Sequence, residues 1–333
     1  MRVIYGIGPL ERGPRGTKGP SGSKGPAGPK VLTVGVFDGV HRGHRAILER
    51  VRRAGRKARR LSAVVTFARH PSITLEANRS VRHLTSLTHK LLLLERAGID
   101  CCYVLAFDRR LARLTAEAFV RDILVKKLKV AALYVGEGFL YGRGRRGGVA
   151  SLRAAARRYG FCFTALRRRV FAGRPISSTR IRALVEKGDI AAAQRLLGRR
   201  VSLLGCVVRG EGRGRRLGFP TANLAIEHEA LVPDGVYAGR GRLCARPGSG
   251  RRPAPWTPCA VYVGRKPTFY PDAGRVVEVH FWRKGLPALR GRLLEVEFIR
   301  RLRPDRRFAK AGDLVVQMRR DVLLAKGFLK RFS

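Results

Sequence analysis

The sequence predicts two architectures in succession: an α/β doubly wound parallel-sheet domain, then an antiparallel β-barrel domain. Three observations predict this. Up to Gly198, short β-branched apolar runs alternate with stretches of helical spacing. Beyond Gly198, strand-like segments follow one another through glycine- and proline-rich turns. At 333 residues the chain is long for one hydrophobic core and comfortable for two.

The elements justify this in order. RVIYGI (2–7) is a short segment ahead of GPRGTKGPSGSKGPAGPK (13–30), where glycine recurs at every third position. That is the collagen period, but one short copy does not make a triple helix, so it reads as a flexible insertion. VLTVGV (31–36) suits a buried parallel strand, and AILERVRRAGRKA (46–58) has helical spacing. LSAVVTF (61–67) is a strand, LTSLTHKLLLLERAG (84–98) a helix and CCYVLAF (101–107) a strand. TAEAFVRDILVKKL (115–128) is a helix opened by Thr115, followed by the strand ALYVG (132–136). SLRAAARRYG (151–160) is helical and FCFTAL (161–166) extended. Two short helices, 178–188 and 189–198, close the first domain, expected to span 1–198. In the second, 199–333, VSLLGCVVRG, GVYAGRGRL, CAVYVG, VVEVHFW and RLLEVEFIRRL are strands. ARPGSGRRPAPWTP (245–258) is a loop, and a helix covers roughly 311–326.

The formal net charge is +47, from 70 Lys+Arg against 23 Asp+Glu. Such a chain is expected to bind polyanions non-specifically at low salt. Its arginines are spread along the whole length, with no basic tail or aromatic-rich RNA motif, which argues against a dedicated nucleic-acid module. No apolar run approaches a membrane span, and the start MRVIYGIGPLERG lacks a signal peptide's apolar stretch. A cytoplasmic protein without membrane partners is the expectation. Six cysteines, none in a C-x-x-C pair, read as reduced thiols, mostly buried.

The densest chemistry lies in VGVFDGVHRGHRAIL (34–48). In an open parallel sheet, ligands bind beyond the carboxyl ends of strands. Gly35 and Gly39 permit a tight turn there, with His41 at the strand–helix junction and His44 in the first helical turn. A helix N-terminus favours phosphate, and two imidazoles beside it can donate hydrogen bonds to a phosphoryl group in its transition state. Gly43 lets a nucleotide approach the backbone. The competing reading is a pair of surface or metal-binding histidines. ISSTRIR (176–182) adds hydroxyls at a helix start, Ser178 and Thr179, suited to phosphate oxygens. Arg182 suits a pyrophosphate clamp. H-x-G-H with I-S-S-T-x-x-R is the paired signature of α/β nucleotidyltransferases.

In PTAN (220–223), Thr221 and Asn223 lie two residues apart and share one side of an extended segment. Both offer hard oxygen ligands, suited to Mg²⁺ shared with ATP phosphates. The preceding GEGRGRRLG (210–218) is glycine-rich and can fold over phosphates, without being a Walker loop.

Several stretches together carry a specific resemblance. VGVFDGVHRGHRAIL, VTFARHP (65–71), YVGEGFLYGRGRRG (134–147) and 176–199 resemble the FAD synthetase half of the bacterial bifunctional riboflavin kinase/FAD synthetases. GEGRGRRLGFPTANL (210–224), PDGVY (233–237), YVGRKPTF (262–269) and VEVHF resemble the riboflavin kinase half. The resemblance implies a nucleotidyltransferase domain followed by a riboflavin kinase barrel. Riboflavin would be phosphorylated to FMN with ATP, and FMN adenylylated to FAD with release of pyrophosphate. It implies catalytic roles for His41, His44 and Glu278. ATP or phosphate contacts would fall to Gly35, Phe37, Asp38, Gly43, Ser178, Thr179 and Arg182. Gly136, Gly138 and Phe139 would form the flavin-side loop. Gly210, Gly212, Arg213, Gly214, Gly218 and Pro220 would bind the kinase nucleotide, and Thr221 and Asn223 the Mg²⁺. Glu278 would accept the hydroxyl proton of riboflavin. In a strand it shares a face with His280, opposite Val277 and Val279.

Three departures stand out. Gly138 replaces the Asp or Asn of the family's G-E-[DN]-F, removing a hydrogen-bonding group. The 13–30 stretch is an insertion, and Ala288-Leu289-Arg290-Gly291 stands where D-L-Y-G is usual. Besides the bifunctional enzyme, two readings compete: a riboflavin kinase with an impaired adenylyltransferase half, and a basic nucleic-acid-binding protein on the same fold.

Overall fold

The computed structural model describes residues 1–7, 25–68, 82–227, 229, 232–265, 275–283 and 285–330. Positions 13–24 of the Gly-x-y stretch, 69–71 of VTFARHP and 266–269 of YVGRKPTF lie outside the described residues. The chain divides into two compact units. One comprises Met1–Val81 and Lys90–Ser177, the other Arg82–His89 and Ser178–Ser333.

The first unit is a six-stranded parallel sheet in the order β1-β4-β3-β2-β5-β6. Its strands are β1 (Arg2–Tyr5), β2 (Lys30–Val34), β3 (Leu61–Phe67), β4 (Cys101–Leu105), β5 (Val130–Gly136) and β6 (Cys162–Leu166). β2 and β4 are buried at every residue, as their continuous apolar runs require. RVIYGI is more than a leader: its first residues form β1 and pair in parallel with β4. Strand order runs outward from β2 in both directions, through β3 and β4 on one side and β5 and β6 on the other. The carboxyl ends of β2 and β5 therefore flank the topological switch point, where α/β sheets place ligands.

The helix after β2 runs Arg42–Lys57, starting four residues earlier than the apolar spacing suggests because His41 caps it. It turns Leu48, Val51 and Gly55 inward. Thr115 caps a later long helical segment as expected, its hydroxyl accepting from Ala118 N–H at 3.1 Å. That segment turns to π geometry over Phe119–Lys127.

The second unit is built on a closed barrel, β10-β13-β12-β11-β14-β9, with every pairing antiparallel. Its strands are β9 (Ser202–Val208), β10 (Thr221–Ile226), β11 (Gly235–Cys244), β12 (Thr257–Gly264), β13 (Val276–His280) and β14 (Leu293–Pro304). A small hairpin, β7 (Val170–Phe171) with β8 (Arg174–Pro175), precedes it in the first unit. A final helix covers Ala311–Leu329.

The compact units part between Ser177 and Ser178, ahead of the sequence boundary at 198. The helices Ser178–Lys187 and Ile190–Leu197 pack with the second unit. Gln194 there donates to the Phe298 carbonyl at 3.3 Å, and Ala193, Leu196 and Leu197 are buried. Residues 82–89 join the same unit through a buried polar knot. Glu229 accepts from Ser86 N–H at 2.8 Å and lies 3.1 Å from His89 Nδ1, while His89 Nε2 lies 3.5 Å from Glu295.

The thiols correct one expectation. Cys101, Cys102 and Cys259 are buried, but Cys206 and Cys244 are partly exposed and Cys162 is exposed. All six are free, and burial pushes Cys101 up to about 11 and Cys102 to about 12. Among the described residues, no helix is long and apolar enough to cross a membrane.

Candidate active sites

At the carboxyl end of β2 the chain makes a compact turn over Phe37–His41. Phe37 and Val40 both have left-handed backbone, with φ of 53° and 40°, and Gly39 lies between them at φ 76°. A β-branched residue in that region is strained, so the surroundings must hold the turn in place. Phe37, Asp38 and Val40 are buried, and two side chains grip the carbonyl just before them. Thr66 donates its hydroxyl to Val36 O at 3.1 Å, and Lys90 its ammonium at 3.2 Å. Lys90 also reaches Phe67 O at 3.0 Å, tying together the ends of β2 and β3. Burial lowers its pKa to about 8. Its place in the leucine-rich run LTHKLLLL gave no sign of this; only a lysine interrupting an otherwise apolar face could have pointed to it.

The two histidines form one unit. His41 Nδ1 accepts from the backbone N–H of His44 at 3.3 Å. The rings stack with centroids 3.6 Å apart and 16° between planes. Because Nδ1 of His41 is an acceptor, its neutral ring carries the proton on Nε2. Burial lowers the His41 pKa to about 4, against a smaller opposing pull from Asp38. His44 is driven well below its ordinary value, by burial first and then by His41 and Lys90. Both rings are therefore neutral near pH 7. His44 Nδ1 is buried with no hydrogen-bond partner among the described residues.

The glycines at 35 and 43 lie against aromatic rings. A side-chain carbon at Gly35 would lie 3.0 Å from the Phe37 ring, and one at Gly43 3.2 Å from the His41 ring. These two glycines make room for neighbouring rings, and only Gly39 supplies the unusual turn conformation.

Beside this turn, β5 ends at Gly136, where the loop that sequence resemblance puts on the flavin side begins. A carbon added at Gly136 would sit 3.9 Å from Ile47 Cδ1, on the helix the histidines open. Phe139 stacks on Tyr141 at 5.7 Å. Glu137 accepts from the backbone N–H of Arg168 at 3.2 Å. Ser178, Thr179 and Arg182 begin the helix Ser178–Lys187 and belong to the second unit.

In the barrel, β10 pairs with β13 so that Thr221 lies opposite His280, and Asn223 opposite Glu278. Ala222, Leu224, Val277 and Val279 point into the core. Thr221, Asn223, Glu278 and His280 share the other face, as the strand period requires. Thr221 donates its hydroxyl to Glu278 at 3.4 Å, and His280 Nδ1 lies 3.0 Å from Pro220 O. The loop GEGRGRRLG folds onto this face. A carbon added at Gly210 would collide with the Asn223 amide, and one at Gly214 would lie 3.1 Å from Thr221 Oγ1. Gly212 and Gly218 take left-handed φ of 72° and 82°, flanking a single helical turn, Arg213–Arg216. A cavity of about 430 Å³ opens beside Gly210 and Asn223. Among the described residues, no cluster of three or more His, Cys, Asp or Glu could hold a metal. The hydroxyl and amide oxygens of Thr221 and Asn223 suit a hard cation that takes its remaining ligands from phosphates.

Comparison with known proteins gives two family matches, FAD synthetase over residues 24–180 and riboflavin kinase over 197–329. The bifunctional riboflavin kinase/FMN adenylyltransferase of Escherichia coli (strain K12) is 37% identical over 330 residues, 98% of each chain. That of Haemophilus influenzae is 33% identical, covering 89% of this chain and 93% of its own. A crystal structure described as a macrolide-efflux protein from Streptococcus pneumoniae matches with a TM-score of 0.75 at 26% identity. It covers 91% of this chain and 96% of that one.

Proposed function

The chain belongs to the bifunctional riboflavin kinase/FMN adenylyltransferase family, and from that premise we propose how its residues divide the work. The protein phosphorylates riboflavin to FMN with ATP, and adenylylates FMN to FAD with release of pyrophosphate.

For adenylyl transfer, the observation that carries the proposal is the neutral, stacked His41–His44 pair at a helix N-terminus beside the switch point. An FMN phosphate oxygen attacks the α-phosphorus of ATP. His41 presents Nε2–H to the α-phosphate oxygens as charge builds on them, and the helix N-terminus adds its N–H groups. Holding both rings neutral keeps an N–H donor in place without a proton to lose. Ser178, Thr179 and Arg182 carry hydroxyls and a guanidinium suited to phosphate oxygens; sequence resemblance supports that role.

For phosphoryl transfer, Glu278 accepts the proton of riboflavin's terminal hydroxyl while that oxygen attacks the γ-phosphorus. Thr221 and Asn223 would hold Mg²⁺, which when bound neutralises phosphate charge. The glycines at 210–218 let the backbone close over those phosphates. A cytoplasmic location belongs to the same proposal, supported by six free cysteines and by the need for ATP.

Riboflavin, ATP and Mg²⁺ with the purified protein, followed by chromatography of the flavins, tests this. His41→Ala is expected to cut FAD formation by about 10²- to 10³-fold, the scale for losing one transition-state donor, and to spare FMN formation. Glu278→Gln is expected to cut FMN formation by about 10²- to 10⁴-fold and to spare FAD formation from supplied FMN. Undiminished FAD synthesis in His41→Ala would remove that histidine from the mechanism.

A further inference from the structure

The geometry points to Arg168 as a binding residue for the phosphate of FMN, using space that Gly138 leaves open. The inference rests on the adenylyltransferase reading above and adds a residue to it. A side-chain carbon built at Gly138 would collide with Nη2 of Arg168 and lie 3.1 Å from its Nε. The guanidinium thus fills the volume in which any side chain at 138 would begin. The missing polar group of that loop is matched by a cation.

The arginine is held at its backbone and available at its tip. Arg168 N–H donates to Glu137 Oε1 at 3.2 Å, and Glu137 N–H donates to Leu166 O at 2.9 Å. Among the described residues, no acceptor takes the guanidinium. An arginine left without an internal carboxylate costs little at the surface, and its planar fork is suited to two parallel bonds with a phosphate.

Register places it near the chemistry. Tyr134 of β5 lies between Thr33 of β2 and Thr164 of β6, and two residues on, Gly136 lies beside Leu166. Gly35, at the head of the histidine turn, is two residues past Thr33, so Gly35, Gly136 and Leu166 form one row at the carboxyl edge of the sheet. Neighbouring strands are about 4.8 Å apart. Gly138 lies in the turn after β5, the strand beside β2, and Arg168 follows the end of β6, so the guanidinium lies beyond the carboxyl edge on the β5 side of the switch point. The FMN phosphate is assigned to that side. One of its oxygens forms a P–O bond to the α-phosphorus as the bond to the bridging β-oxygen breaks and pyrophosphate leaves. A cation one strand away from the histidine turn can hold that phosphate without occupying the ATP side.

Steady-state FAD formation from FMN and ATP, with riboflavin kinase assayed on the same preparations, tests the assignment. Arg168→Ala is expected to raise KM for FMN by roughly tenfold to a hundredfold, the scale of a lost charge-assisted hydrogen bond, with KM for ATP and kinase turnover unchanged. Arg168→Lys should recover part of the loss. Gly138→Ala should displace the guanidinium and raise KM for FMN in the same direction. The double variant should be no worse than Arg168→Ala, because both changes remove one interaction. An unchanged KM for FMN in Arg168→Ala overturns the assignment, as do single effects that simply multiply in the double variant. Either result would leave the adenylyltransferase reading standing so long as the parent protein makes FAD. A parent protein that makes FMN but no FAD from FMN and ATP would overturn both.

Discussion

Two buried histidines show how one side chain is tuned in opposite senses. His41 loses its charge to burial, and Asp38 only partly offsets this. For His89 burial also acts downward, but the Glu229 carboxylate and hydrogen bonds to Glu229 and Glu295 outweigh it, so its pKa is raised. The stability consequences differ in sign. His41 binds its proton more weakly folded than unfolded. Its contribution is complete above about pH 6.5 and is lost as pH falls toward about 4. His89 binds its proton more tightly folded. Its contribution is complete below about 6.5 and is lost as pH rises through the folded value. NMR titration of the imidazole resonances should give a midpoint near 4 for His41 and one above 6.5 for His89. A midpoint near 6.5 for His41 would contradict its burial.

Among elements, the legible ones are those whose period matches their environment. The strands β2, β3 and β4 read directly from unbroken apolar runs, and the faces of β10 and β13 from strict alternation. H-x-G-H announced the histidine turn, but not its internal hydrogen bond, which depends on the Phe37 and Val40 backbone. Lys90 stayed hidden because its partners are two backbone carbonyls, which leave no residue pattern, and Arg168 because Gly138 shows that a side chain is missing but not what fills its place. The 82–89 segment was hidden for a similar reason: its partners Glu229 and Glu295 are distant in sequence. The Lys90 clamp has a testable cost. Lys90→Met should lose two hydrogen bonds to strand-end carbonyls and destabilise the first unit by about 1–3 kcal/mol. FAD formation should fall more than FMN formation, read in denaturant melts and the two assays. Equal losses of both activities would mean that the clamp serves the whole chain and not the turn.

At the scale of the whole molecule, the +47 charge exceeds what two phosphate sites need. It should appear as retention on a polyanion matrix such as heparin at low salt, released steeply as salt rises. Addition of ATP should leave that retention largely unchanged, because most of the arginines lie outside the sequence segments proposed to bind nucleotide. Weak, salt-insensitive retention would show that the excess is dispersed too evenly to act as a field. The closed barrel has another consequence, for the chain as it is made. β9 is the first barrel strand to emerge, yet one of its two partners is β14, at Leu293–Pro304. β11 waits for the same strand. Until translation passes Pro304, both present unpaired edges to the crowded space around the ribosome. A message truncated before Leu293 would release two open strands ready to recruit others, so the stretch that encodes β14 guards the nascent protein against aggregation.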